Sequence, residues 1–272
     1  MPSPPPPSSP GRSGRADLAL TLAGRVGEAL MASFRTGVAA GRKPRGIVTD
    51  LDHRGEALIA AALAEAFPGD GLVSEEGTAR PSASGWRWIA DPLDGTTNFV
   101  SGLPNFAVSL AALDERGPAV GVVHAPALGA TFWAERGRGA HGTGGTLRTS
   151  GATALADCVF LVNKAYAPPA ALWDLTAGLL PHLRASRMFG SVSLDLAMVA
   201  AGWADGLVML PADPWDVAAG VLLVGEAGGA VSDLAGRPLP PDGRTGILAA
   251  APGVHAAALA CLPRPLSGAG TA

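Results

Sequence analysis

The run Trp88-Ile89-Ala90-Asp91-Pro92-Leu93-Asp94-Gly95-Thr96-Thr97-Asn98 constrains this chain more than any other stretch. A strand runs into Asp91, and Pro92 fixes one backbone angle while keeping its predecessor extended. Leu93 and Asp94 then turn, Gly95 relieves the strain, and Thr96-Thr97-Asn98 open a helical turn. The fold must therefore gather a strand end, a tight turn and a helix start into one small volume. Amides at that helix start face the same way, a natural place for a phosphate.

Two carboxylates three residues apart around such a turn face each other. Their repulsion pushes each towards protonation unless a cation lies between them. Hard oxygen ligands at a strand end suit Mg2+, which keeps waters and takes phosphate oxygens as further ligands. For Asp-x-x-Asp alone, an ordinary acidic turn with a helix-capping Asp is the stronger reading. The full run with its Gly-Thr ending reverses that.

The rest of the chain supports a folded α/β protein. Of its 272 residues 48% are apolar and 16% charged, enough for a sizeable core and against general disorder. No uncharged apolar run approaches the roughly 18–20 residues that span a bilayer, so no membrane partner is expected. Net charge is −3 without a polybasic block, which leaves no electrostatic footprint for nucleic acid. Cys158 and Cys261 lack metal-ligand spacing and read as reduced thiols of a cytoplasmic protein. None of the five histidines has zinc spacing.

Four segments are expected: a disordered tail over 1–16, an N-terminal α+β lobe over 17–150 carrying the carboxylate motif, a C-terminal α/β lobe over 151–263, and a tail over 264–272. Leu18, Leu22, Val26, Leu30 and Phe34 predict an amphipathic helix. A second is predicted from Asp52 to Phe67, after a loop that delivers Asp50. Strands over Trp86–Ala90, Phe106–Leu113, Ala119–His124 and Thr131–Glu135 are spaced for antiparallel pairing. Beyond Ser150, strands alternate with helices, including Val192–Trp203 and Trp215–Glu226. Two α/β lobes in layers follow. Trp86, Trp88, Trp133 and Trp203 fall on apolar positions and are expected in the core.

Asp91-Pro92-Leu93-Asp94-Gly95-Thr96-Thr97-Asn98 resembles the signature of the inositol monophosphatase family, Asp-Pro-(Ile or Leu)-Asp-Gly-Thr-x-Asn. Ser74-Glu75-Glu76-Gly77 is similar to the family's paired-glutamate segment, and Pro214-Trp215-Asp216-Val217-Ala218-Ala219-Gly220 to its second aspartate signature. The resemblance covers roughly Leu18 to Cys261 and implies a layered α/β/α/β/α sandwich of the inositol monophosphatase/fructose bisphosphatase type, homodimerisation and inhibition by lithium. It also implies two or three Mg2+ ions. Glu75, Asp91 and the Leu93 carbonyl would bind one, Asp91, Asp94 and Asp216 a second, and Glu75 with waters a third. Gly95 and Thr96 would offer N–H groups to the phosphate, and Asp50 would pair with the Thr96 hydroxyl to orient the attacking water. Glu76 would stand behind its neighbour.

The implied reaction is Mg2+-dependent hydrolysis of a small phosphorylated metabolite by metal-activated water, with no covalent nucleophile. On the substrate side, Gly190-Ser191-Val192-Ser193-Leu194-Asp195 resembles the family's Gly-Ser-x-x-Leu-Asp helix start. Ser191 and Val192 would touch the alcohol with Asp94 and Asp216, and Asp195 would line the pocket; alternatively Ser191 caps the helix and Asp195 complements its dipole. The chain departs at Met209, seven residues before Asp216, where many inositol-cleaving members of the family carry a hydroxyl-reading glutamate. Methionine cannot accept that hydrogen bond usefully. Histidinol phosphate, a sugar phosphate or a 3′-phosphonucleotide are therefore alternative substrates, and a regulatory scaffold that keeps the fold is the reading from another class.

Overall fold

The computed structural model describes residues 12–43, 46–240 and 245–263. Residues 1–11 and the expected tail over 264–272 lie outside these. The first helix, α1 (Gly14–Ser33), starts three residues earlier than Asp17, because Ser13 is its N-cap and accepts from Ala16 N at 3.3 Å. The segment expected as a loop before the second helix is a hairpin, β1 (Ala40–Lys43) with β2 (Gly46–Thr49), leading into α2 (Asp50–Ala66).

Next come β3 (Gly71–Ser74), β4 (Ala79–Arg80), β5 (Arg87–Asp94), α3 (Thr96–Val100), β6 (Ala107–Asp114), β7 (Gly117–Ala125), β8 (Ala130–Glu135), β9 (Ala140–Gly142) and β10 (Gly145–Thr146). β3 to β10 form one sheet in the order β10-β9-β8-β7-β6-β5-β3-β4. The β5-β6-β7-β8 meander is antiparallel, as its short connections require, whereas β3 and β5 pair in parallel. The β5–β6 register shifts between Asp91 and Asp94, where Pro92 interrupts the ladder.

The remaining elements are β11 (Val159–Asn163), α4 (Pro169–Thr176), β12 (Ala185–Arg187), α5 (Val192–Ala200), β13 (Gly206–Met209), α6 (Pro214–Glu226), β14 (Ala230–Asp233), β15 (Ile247–Ala250) and α7 (Pro252–Ala260). Their strands form a second sheet, β12-β11-β13-β15-β14.

Side-chain alternation stacks these elements into five layers. Trp88, Ala90, Val108, Leu110 and Ala112 point to the α1/α2 side of the larger sheet. Ile89, Ala107, Ala111 and Leu113 point to the α5/α6 side, and Leu161, Leu207 and Met209 of the smaller sheet belong to the same core around those helices. Phe160, Val208 and Leu248 face the outer layer with Val254 and Ala258 of α7. A helix pair covered on both faces by sheets has no polar side, which explains why all nine residues of α5 are buried. Trp88 and Trp133 are core, but Trp203 is 57% exposed: it follows the end of α5 and lies edge-on over Phe132 at 5.4 Å.

Candidate active site at the seam between the sheets

The sequence turns sharply after β5 because Pro92 and Gly95 leave no alternative. Gly95 has φ +93°, and a Cβ there would lie 2.9 Å from Asn105 O and 3.2 Å from Ser191 Cβ. The turn therefore touches the start of α5, and only glycine fits at the contact. Asn98 fastens the same junction, its Nδ2 donating to Asn105 O and Phe189 O, both at 2.6 Å.

Asp91, Asp94 and Asp216 converge here, each offering a carboxylate oxygen within 4.8 Å of the others. Asp216 sits in the first turn of α6, where its Oδ2 accepts from Asp213 N at 2.9 Å in a reciprocal cap. Ser109 Oγ holds the start of that helix through Trp215 O at 3.1 Å. Asp91 Oδ1 accepts from Leu93 N at 2.8 Å, while its Oδ2 is buried with no hydrogen-bond partner. Asp94 Oδ2 accepts three bonds, from Ser191 Oγ (2.8 Å), Ser193 N (2.7 Å) and Ser193 Oγ (2.6 Å).

Burial, then the charges of Glu75, Asp94 and Asp216, push the Asp91 carboxyl well above the usual range. Burial, then Asp94, does the same for Asp216, and burial raises Asp94 against the pull of its serine donors. Three buried anions with an orphaned oxygen among them fit a divalent cation. Glu75 lies beside this group, its carboxyl raised by burial and by Glu76, and restrained by Lys43. Lys43 Nζ donates to Glu75 Oε1 at 2.7 Å and also to Glu76. Burial would lower the Lys43 pKa, but both carboxylates outweigh it and raise it.

One expected contact is made by a different residue. Asp50 is 68% exposed and pairs with Arg54 at the surface, so it does not meet Thr96. Asp52 does: Thr96 Oγ1 lies 3.3 Å from Asp52 Oδ1 and 3.1 Å from Leu93 O. The reason is the cap of α2. Thr49 is N-cap, Asp50 at N1 points outward, and Asp52 at N3 folds back to accept from Thr49 N (2.8 Å) and Thr49 Oγ1 (2.6 Å). Asp52, Glu56, Ile59 and Leu63 form the buried stripe of that helix. The pattern Thr49-x-x-Asp52 carried this information in the sequence. Glu56 and Ser193 were likewise missed.

The substrate-side residues are less accessible than expected. Asp195 is 0% exposed and accepts from Asn163 Nδ2 at 2.7 Å, so it does not line an open pocket; burial raises its carboxyl well above the usual range. Ser191 is also sealed, its hydroxyl committed to Asp94, and Val192 is 5% exposed. Met209 is fully buried in the layer between the sheets. Tyr166, 38% exposed on the segment after β11, is the missed residue on this side: burial, then Asp216, Glu75, Asp91 and Asp94, raise its pKa and keep it an O–H donor.

The sequence profile of the inositol monophosphatase family matches residues 14–265. The chain belongs to the inositol monophosphatase family. It is 37% identical over 229 residues to the fructose-1,6-bisphosphatase/inositol-1-monophosphatase of Thermotoga maritima, spanning 82% of this chain and 86% of that protein. It is 36% identical over 227 residues to the Nus factor SuhB of Escherichia coli K12, spanning 81% and 85%. The solved inositol monophosphatase structure from T. maritima superposes with a TM-score of 0.85 at 33% identity, covering 92% of this chain and 96% of that one. This inositol monophosphatase-family chain is accordingly a phosphatase with the family's layered α/β sandwich. Among the described residues no helix is long and apolar enough to cross a membrane.

Proposed function

We propose that this chain hydrolyses a small, inositol-phosphate-like phosphomonoester with Mg2+, two or three ions per site. The meeting of Asp91, Asp94 and Asp216, from both lobes, around an unpartnered buried oxygen carries the reading. Glu75, Asp91, the Leu93 carbonyl, Asp94 and Asp216 would hold the ions. Bound Mg2+ supplies neutralisation of the phosphoryl oxygens, a lowered water pKa and stabilisation of the leaving alkoxide.

The chain's own groups supply position. Gly95 and Thr96 stand at the open start of α3, where N–H groups lack helical partners and face a phosphate. With Asp52 accepting the Thr96 proton, the Thr96 oxygen is left to accept from water and aim it at phosphorus. Ser191 and Ser193, the serines bonded to Asp94, have their hydroxyls committed to its carboxylate, and the reaction proposed uses water as its nucleophile. On the alcohol side, buried Met209 and sealed Asp195 offer no hydroxyl acceptor, which favours an alcohol read by few hydrogen bonds. The T. maritima relative's double name supports including sugar phosphates beside inositol phosphates. A cytoplasmic homodimer inhibited by lithium completes the proposal, on the strength of family membership alone.

The test is phosphate release from inositol, sugar, histidinol and nucleotide monophosphates, with and without Mg2+. Release from at least one ester that stops on chelation supports the reading. Silence across the panel, with folded protein, favours the scaffold role suggested by the name of the E. coli relative.

A further inference from the structure

We infer that Glu56, a carboxylate the reaction does not use, is a positioning residue that sets the distance between Glu75 and Asp91; this rests on the metal-assisted reading above. Glu56 is 5% exposed and lies one helical turn beyond Asp52 on the inner face of α2. Its two oxygens are both engaged by backbone: Oε2 accepts from Glu76 N at 2.9 Å and Oε1 from Thr78 N at 2.8 Å. These N–H groups belong to the turn between β3 and β4, which carries Glu75. The turn closes on itself through Ser74 N to Thr78 O at 3.1 Å and Gly77 N to Ser74 O at 3.2 Å.

Glu75 is thereby fixed from two directions. Its own N–H donates to Ala90 O at 3.2 Å, on the strand that carries Asp91, and its neighbour Glu76 is fixed to α2. The same helix rests on the Asp91-Pro92 turn: a Cβ on Gly55 would lie 2.7 Å from Pro92 Cβ. Glu75 and Asp91 thus take their positions from one helix, through adjacent residues Glu56 and Gly55. Placing another anion beside the Glu75-Glu76 turn is electrostatically unfavourable, so its presence needs a reason. A carboxylate is the side chain that accepts both bonds at this length; glutamine offers one acceptor oxygen and aspartate is a methylene short. Partners that orient metal ligands in this way change metal affinity by about 10–100-fold when altered.

The experiment measures Mn2+ binding by the electron paramagnetic resonance of the free ion, for wild type, Glu56→Gln and Glu56→Asp, with Ile59→Val as a control on the same buried helix face. The expected result is Mn2+ affinity weakened about tenfold or more in both Glu56 variants, with a parallel rise in half-saturating Mg2+ for phosphate release. KM at saturating Mg2+ stays unchanged, and Ile59→Val lowers Tm without moving Mn2+ affinity. A folded Glu56→Gln within about twofold of wild-type affinity overturns the positioning role and leaves the metal reading intact. Should Glu56→Gln fail to fold, Glu56→Asp decides by the same measure, and unfolding of both assigns Glu56 to stability and overturns the inference. Wild type that binds no Mn2+ overturns the metal reading itself.

Discussion

The two halves of the site are built on opposite principles. Around Asp91, Asp94 and Asp216 the molecule concentrates charge and surrounds it with donors: Leu93 N, Asp213 N, Ser191 and Ser193. Beside them, Val192 and Leu194 of α5 and Met209 at the end of β13 make the neighbouring volume apolar and closed. The contrast separates chemistry from selectivity. Handling a phosphoryl group needs fixed charge, and that half matches its family signatures; reading an alcohol needs acceptors, and there the expected glutamate is a buried methionine.

The largest effect expected is from Asp94→Asn. Turnover should fall on the order of a thousandfold, beyond the ten- to hundredfold loss typical of residues that only orient metal ligands. Tm should hold or rise, because one charge leaves a crowded anionic group. Near wild-type activity would show that the charged half is not the chemical half.

Next comes the exchange of roles between two aspartates. Asp52→Asn should lower kcat about a hundredfold, in the range for groups that manage a proton at the reacting water. Asp50→Asn should stay within about twofold, since its exposed pair with Arg54 contributes little. The reverse pattern would restore Asp50 as the partner of Thr96.

Met209→Glu probes the apolar half. Burying a carboxylate there should lower Tm by several degrees. Activity on inositol phosphates should nevertheless rise severalfold relative to other esters. An unchanged ranking would place selectivity elsewhere, with Tyr166 the next residue to vary.

The smallest effect is a pH dependence of the chelated protein. Asp91, Asp94 and Asp216 have pKa values raised in the folded state, so the fold binds more protons than the unfolded chain. Their contribution to stability is present at low pH and lost as pH rises through those values. Thermal melts with and without Mg2+ should therefore diverge as pH rises above the ordinary carboxylate range, the chelated protein losing Tm relative to the loaded one, while the lowered pKa values of His124 and His255 act alike in both. An equal slope with and without Mg2+ would separate the carboxylates from the ion.

What was legible in the sequence follows the same division. Asp91, Asp94 and Gly95 share one short turn, so their geometry is nearly local, and the short spacing of the strands around it made their antiparallel pairing legible. Asp50 is read in place of Asp52 because a carboxylate's direction depends on where the helix cap falls: the helix expected from Asp52 is capped at Thr49, which puts Asp50 at its outward-facing first position. Asp195 and Ser191 could not be ranked as surface or interior from sequence, since α5 lies between two sheets and loses its exposed face only when both are assembled. Trp203 was misplaced for the opposite reason: its helix is buried, but it sits one turn past the end.

The three serine bonds to Asp94 join the lobes through the very side chain the chemistry needs. A clamshell motion of one sheet layer against the other would dismantle the ion cradle before it admitted anything. Movement that leaves these bonds intact has to be local, and the Lys43–Glu75 ion pair lies to one side of that joint.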